Sequence, residues 1–492
     1  MSLRRLVAIV ILSLTSAPIC AAQITIDRLS EKLSLGASLR TRWEGWNWFQ
    51  PHGTQNNDYD FIGTMARASL RWKDEAFDVF VEAQNSALID LPTTATAPAP
   101  QGALGLGGTY FVHNRKRNDA GLFLKQGFLN IKRLGLPGAS LKLGRFEFAE
   151  GNEVLSGEPT MDWLKNIRIS QRLIGPFVWS HVGRAFDGGV FRWNQAPLNL
   201  TMMLSRPTAG GFDLDGMDQL EDVEVAYTGF THTDLDTHGV SDARLFYTYY
   251  GDRRHQTKTD NRSLTVRNDA RERLADVEVH TGGAHLAYVR LSDAGTFDAM
   301  TWAAFQGGRW GRLDHAAWAV DGEIGWQPKL PGKPWLRAGY SRGSGDGDPD
   351  DDEHGTFFQM LPTARLYSFS TFYNMMNSED AFVQLILRPT AGLLWRTDFH
   401  NLRISEGKDL WYQGSGATIP DRDRPEGFGY TGRPANGRRN LFQLVETTLS
   451  YDWTSYLNTN LYYTHVFGGA AVEEIFAGDD ADFGYLEIVL KL

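Results

Sequence analysis

The sequence predicts an all-β fold: a transmembrane antiparallel β-barrel of 18 strands, with short periplasmic turns and long extracellular loops. Three observations predict it: an export leader, a long series of two-residue alternations, and connections sorted by length. Residues 1–22 carry Arg4 and Arg5, the apolar run from Leu6 to Leu14 and the small pair Ala21 and Ala22, which is the pattern of a Sec signal peptide. No later stretch reaches the roughly 18 apolar residues that a membrane helix needs. An exported chain of this kind that enters a membrane must enter it with strands.

Residues 23–492 read as one barrel domain. Alternating runs are expected, in order, at 33–43, 60–72, 76–86, 120–132, 139–148, 183–193, 198–205, 222–231, 241–250, 277–291, 296–307, 316–326, 335–342, 381–388, 392–404, 440–452, 456–466 and 481–492. Connections after odd-numbered strands span 8 to 38 residues, and those after even-numbered strands 3 to 9. Such sorting puts short turns on one rim and long loops on the other, as in bacterial outer-membrane barrels. The run Tyr367–Met375 is assigned to a loop, which keeps the strand count even. The 51 glycines and 12% aromatic residues suit turns and interfacial belts.

Side-chain parity supports the same reading. In 316–326, Trp318, Val320, Gly322, Ile324 and Trp326 share one face, while Asp321 and Glu323 point the other way. The two tryptophans are roughly 26 Å apart at about 3.3 Å per residue, close to the spacing of two aromatic belts. The runs at 60–72, 392–404 and 481–492 alternate equally well. Two runs fit badly: Leu141 and Leu143 share parity with Arg145, which calls for a bulge or a membrane edge, and Lys125 intrudes on an apolar face.

Charge and cysteine usage exclude several classes. The net charge of −10 gives no nucleic-acid footprint, and loss of Arg4 and Arg5 with the leader makes it −12. The single cysteine, Cys20, lies inside the leader after a bulky Ile19, which argues against a lipid anchor. A disulfide framework and a Cys-ligated zinc site are excluded.

An 18-stranded barrel encloses an aqueous lumen unless loops plug it, so transport is the expected activity. Parity places Arg40, Arg42, Arg67, Arg71, Arg337, Arg388, Arg396 and His400 on the lining, with Arg145 as a further candidate. Acidic candidates are Glu82, Asp321, Glu323 and Asp398, together with Asp78 and Glu446. Arginine outnumbers lysine 37 to 12, which favours bidentate recognition of carboxylates. Two readings stay open: a ladder of arginines that passes an anionic or polyhydroxylated chain, or a structural lattice pairing Arg with Asp and Glu, for instance Arg67 or Arg71 with Glu82.

The loop at 345–353 reads GDGDPDDDE. Its Asp346, Asp348, Asp350 and Asp352 could form a weak calcium loop, although EF-hand spacing is missing, and a solvated outer loop is the alternative. No other cofactor is expected. An enzyme would need a framed nucleophile, and Ser180 and His181 have no such frame. A secreted sugar-binding protein using Trp43, Trp46 and Trp48 competes with an aromatic belt at the end of the first strand.

From about residue 36 onward the chain resembles the alginate export family of outer-membrane β-barrels. The strongest stretch is 339–377, with Gly339-Tyr340, Gly343 to Asp346, Thr356-Phe357 and Leu361-Pro362-Thr363 followed by an aromatic run. Gly144-Arg145 stands at a second family motif, with Phe146 replacing the usual glutamine, and AFDGG at 185–189 matches a third. The resemblance implies a monomeric channel in the outer membrane that carries a polysaccharide, alginate-like in charge, past an arginine-rich constriction. Arg40, Arg42, Arg67, Arg71 and Arg396 suit that constriction in kind. Acids on the inner face and a terminal Leu492 in place of an aromatic depart from the pattern. The expected partners are saccharide cargo, the bilayer with its lipopolysaccharide, and periplasmic export proteins; a porin-like channel for small solutes is the alternative function.

Overall fold

Alternation along each strand sends every second side chain to lipid, and closure of the sheet removes the two edges that would otherwise be left unpaired. The computed structural model describes residues 26–30, 32–363, 370–414, 416–419 and 428–491. The leader assigned to 1–22, Leu492 and part of the run Tyr367–Met375 lie outside the described residues; Ser370 to Met375 form no strand. The barrel strands are β1 Leu33–Asn47, β2 Asp58–Lys73, β3 Phe77–Ile89, β4 Asp119–Ile131, β5 Ala139–Phe146, β6 Phe186–Gln195, β7 Leu198–Pro207, β8 Val223–Leu235 and β9 Gly239–Asp252. The second half comprises β10 Val277–Ser292, β11 Gly295–Trp310, β12 Leu313–Gln327, β13 Trp335–Gly343, β14 Ser378–Leu387, β15 Leu393–Ile404, β16 Asn440–Asp452, β17 Leu457–Gly468 and β18 Asp480–Lys491.

Each strand pairs antiparallel with its sequence neighbour, and β18 closes on β1 from Ser38↔Lys491 to Asn47↔Asp482. All 18 predicted strands are found, with ends shifted by a few residues. One long-rim connection is far shorter than expected. β11 and β12 run on to a two-residue turn, Gly311 and Arg312, with Gly311 at φ 64°. A stretch rich in Gly and Arg looked like a loop, but it continues the ladder from Gln306↔Ala317 to Trp310↔Leu313.

The outer wall is apolar. Trp72, Phe77, Tyr288, Phe297, Trp326 and Trp395 are exposed near the short-turn rim, and Tyr247, Phe305, Tyr340, Tyr463 and Phe467 towards the other. These are two aromatic girdles. Among the described residues no helix is long and apolar enough to cross a membrane.

The misfit at Lys125 has a local cause. Glu82 faces Gln126 but the next residue, Ala83, faces Leu124, so Lys125 is the extra residue of a bulge and is re-aimed inward, fully buried. The bulge therefore lies in β4 and not in 139–148. β5 keeps strict alternation, with Lys142, Gly144 and Phe146 inward and Leu141, Leu143 and Arg145 outward.

Candidate functional site: the lumen and its insert

The connection from β5 to β6, residues 147–185, enters the bore. Within it Pro159–Leu164 forms helix α1, started by Pro159 and capped by Glu158, whose carboxylate accepts from the Met161 N–H at 2.7 Å. A π-helical turn, Lys165–Ile169, follows. The helix descends along one side as far as the short-turn rim, where Gln327 Nε2 donates to Thr160 Oγ1 at 3.1 Å and Trp163 packs on Trp335.

On that side inward charges pair between the insert and the wall and along the wall. Lys165 Nζ lies 2.7 Å from Asp242 on β9, and Arg244 Nη1 lies 2.7 Å from Glu150. Arg168 Nε donates to both oxygens of Glu323 on β12, at 2.8 and 3.1 Å, and Arg172 pairs with Asp321. Arg337 on β13 shares Glu323, at 2.6 Å, and also pairs with Asp298. On β15, Arg396 Nε donates to Asp398 at 2.7 Å, and His400 contacts Asp380 at 2.9 Å. These groups are almost fully buried. They form a lattice that nails the insert to the wall.

The insert then crosses to β1–β4, where main-chain carbonyls meet wall donors. Arg40 Nη1 donates to Val178 O at 2.7 Å and Arg42 Nη1 to Trp179 O at 3.2 Å. Gln84 Nε2 donates to Val182 O, Ser86 Oγ to His181 O, and Lys125 Nζ to Arg184 O. Arg42 Nε and Nη2 also donate to Glu487 on β18, at 2.9 and 2.6 Å. Below this clasp Arg67 bridges Glu147 at 3.0 Å and Glu82 at 3.4 Å.

His181 shows how closely insert and wall approach. A Cβ at Gly63 would fall 2.2 Å from its ring, so only glycine fits there. The ring lies 3.0 Å from Glu44, and burial pushes the imidazole down to about 4, against the hydrogen bond to Glu44 that raises it. The folded chain thus holds His181 neutral at pH values where the unfolded chain protonates it. The stabilisation is complete above about 6.5 and is lost as the pH falls towards 4. Conductance in planar bilayers should therefore rise on acidification through this window, and His181→Gln should flatten the response. An identical pH curve for both proteins would assign the change to other groups.

The remaining arc, β2 to β6, differs near the short-turn rim. Arg71 lies over Phe80 at 4.9 Å, Lys142 Nζ over Phe128 at 4.3 Å, and Arg192 projects inward from β6 beside them. None of the three makes a salt bridge among the described residues. Arg71 and Lys142 rest on aromatic faces, and all three residues lie on the inward register of their strands. Arg388 lies just beyond β14, in the turn at the same rim, where its main chain donates to Gly332 O.

The sequence-derived site residues therefore divide. Arg42, Asp321, Glu323, Arg337, Arg396, Asp398 and His400 sit in buried networks, Arg40, Arg67 and Glu82 sit under the insert, and Arg71 and Arg388 stand apart. Arg145 is corrected: it faces outward and grips Asp187 on β6 with two 2.7 Å hydrogen bonds. Its parity with Leu141 and Leu143 already carried that signal. The acidic loop at 345–353, read as a weak calcium candidate or a solvated outer loop, has carboxylates that serve its own turns. Asp348 N donates to Asp346 Oδ1 and Asp350 N to Asp348 Oδ1, so these carboxylates cap their own backbone. Asp346 is buried while Asp348, Asp350 and Asp352 are exposed, and among the described residues these carboxylates do not converge as a group of three. Trp46 and Trp48 are neither a belt nor a sugar platform. Both point inward and are buried under the outer loops, and only Trp43 faces out, with its Nε1 on Asp60. Sequence reasoning missed Lys142 and Arg192, although both alternate correctly with apolar neighbours. It also missed Arg168 and Arg172, whose partners lie about 150 residues away.

A family model described as alginate export matches residues 31–481. Among solved structures, Pseudomonas aeruginosa OccK9 (OpdG) is similar at a TM-score of 0.58 and 13% identity, over 94% of this chain and 98% of that one. A BenF-like porin from Pseudomonas fluorescens Pf-5 follows at 0.56 and 12%, over 94% and 99%. Pseudomonas aeruginosa OpdK, solved with vanillate, gives 0.53 and 11%, over 93% and 98%. No curated protein sequence matches significantly.

Proposed function

The chain belongs to the alginate export family and is an integral outer-membrane channel, and on that premise we propose that it conducts anionic, hydroxylated saccharides through the arc of the lumen left beside the insert. One observation carries the reading: Arg71, Lys142 and Arg192 face this arc without a carboxylate partner, while the arginines opposite are neutralised. An unneutralised cation in a narrow, partly dry passage attracts carboxylates strongly, and cations spaced along it hold such a solute weakly at several points in turn. Arg40, Arg67, Glu82 and Glu147 above them form a mixed-charge step, which suits a solute bearing hydroxyls as well as negative charge.

The test is reversal potential in a salt gradient across planar bilayers. Wild-type channels should prefer anions, and a variant carrying Arg71→Glu, Lys142→Glu and Arg192→Glu should prefer cations. Cation preference in the wild type would remove the basis of the reading. A second reading, a pore for small carboxylates, is favoured by the depth to which the insert fills the bore, and OpdK was solved with such a molecule. Liposome swelling with uronate oligomers of increasing length separates the two: a cut-off at the monomer supports the small-solute pore.

A further inference from the structure

We propose that Arg342, Arg403 and Arg439 form a site on the outer wall for a phosphate of an outer-leaflet glycolipid, with an acyl chain of that lipid lying in the apolar groove beneath. The bore plays no part in this site, which faces the membrane. Strand register assembles it: Arg342 on β13 lies opposite Glu379 on β14, and Glu379 lies opposite Arg403 on β15. The row below them is Tyr340, Ala381 and Asn401, which shares their lipid-facing parity. Arg439, immediately before β16, reaches the same point from the other side.

Charge at the patch is unbalanced. Arg342 Nε and Arg439 Nη2 approach one and the same oxygen of Glu379, at 3.5 and 2.8 Å. Glu406 adds only a loose contact with Arg342 at 3.9 Å. Arg403 is exposed and makes no salt bridge among the described residues. Three guanidiniums thus share one close carboxylate and one distant one, and an anion restores the balance. Two of the three are already held in place. The Arg342 guanidinium lies over the Trp318 ring at 5.5 Å, and Arg439 Nε donates to Ile404 O at 3.1 Å. Groups fixed in this way lose less freedom when a ligand arrives.

The arrangement selects phosphate. Guanidiniums converging from three strands offer more donors than the two oxygens of a carboxylate accept, whereas a phosphate presents three acceptor oxygens and up to two charges. Isolated ion pairs in water are weak, but at the lipid boundary the local dielectric is lower and attraction grows. Clustered basic residues at such a boundary are the common device for holding phosphorylated head groups.

Depth selects a lipid over a free ion. Tyr340 belongs to the outer aromatic girdle, and Arg342 stands two residues beyond it, about 7 Å further out, at the level of head groups. A groove of about 790 Å³ opens on the lipid-facing wall of the same strands, lined by Ile324, Leu336, Val383, Phe399 and Val445. Val383 and Phe399 lie four residues below Glu379 and Arg403, about 13 Å, inside the roughly 15 Å that one leaflet's hydrocarbon spans. The path between passes Ala381, whose small side chain leaves room between Tyr340 and Asn401. A chain hanging from the phosphate therefore reaches the groove.

The full chain, delipidated and folded in detergent as judged by heat-modifiable migration, is titrated with bisphosphorylated lipid A and followed by native mass spectrometry. One tightly bound lipid A per chain is expected, and dephosphorylated lipid A with the same acyl chains should bind at least about tenfold more weakly. Arg403→Ala breaks no ion pair among the described residues and should weaken binding about three- to fivefold, and its combination with Arg342→Gln and Arg439→Gln more than about tenfold. Arg206→Ala with Arg253→Ala, a second outward pair that shares Glu224, should leave binding unchanged. Equal affinity of the wild type for the two lipids, or wild-type affinity in the folded triple variant, would overturn the site. A lipid-free dimer that disappears in the triple variant would give the face to a second copy of the chain instead.

Discussion

Replacing Arg168 and Arg172 together by alanine is expected to raise single-channel conductance several-fold. Both guanidiniums leave the insert to meet carboxylates on β12, and all four side chains are almost fully buried. Removing one partner of a buried pair costs about 3–5 kcal/mol, because the surviving charge is left without compensation. Here the survivors are Asp321, which loses its only salt-bridge partner among the described residues, and Glu323, which keeps Arg337. Wall and loop are separate pieces of structure, so the strain is relieved by moving the loop. The barrel's ladder hydrogen bonds are untouched, and heat-modifiable migration should persist. Wild-type conductance in a folded double variant would show that the insert is not what narrows the bore.

Truncating Trp48 to alanine should have the second largest effect, and on a different property. Trp48 is wholly buried where four outer connections meet. Its ring stacks on Phe372 at 4.8 Å and 3°, lies parallel to Trp411 at 6.4 Å, and meets Phe49 and Phe476 edge-on. Arg433 covers it from the far side. A buried Trp→Ala change costs about 3–5 kcal/mol, and because the rings it touches belong to the outer connections, the loss falls on the cap. Each 1.4 kcal/mol is a factor of about ten in the opening equilibrium, so limited proteolysis of the outer loops should accelerate by about a hundredfold or more. Cleavage at the wild-type rate would place the cap's stability elsewhere.

The fold was legible because each strand reports its own faces. A two-residue period with one lipid-facing side is a local signal repeated 18 times, and only turn chemistry such as Gly311-Arg312 escaped it. The site was less legible, for a physical reason. Parity tells which way a side chain points but not what it meets, and Arg337 and Arg71 look alike until Glu323 and Phe80 are placed beside them. Partners on the insert come from far along the chain and obey no period. Arg145 shares its parity with Leu141 and Leu143 without a bulge, and Asp187 on the neighbouring strand makes an arginine on that face tolerable. Lys125 needed the bulge, which a single strand's sequence does not announce.

Arg42 binds Glu487, contributed by the last strand, and the carbonyl of Trp179, contributed by the insert. One guanidinium therefore joins the first and last strands of the barrel to the segment that narrows the bore. While the seam is open during membrane insertion, that arginine lacks Glu487 and keeps only Glu44 beside the insert. Permeability control is thus coupled to completion of assembly: the ring must close before its contents can be locked.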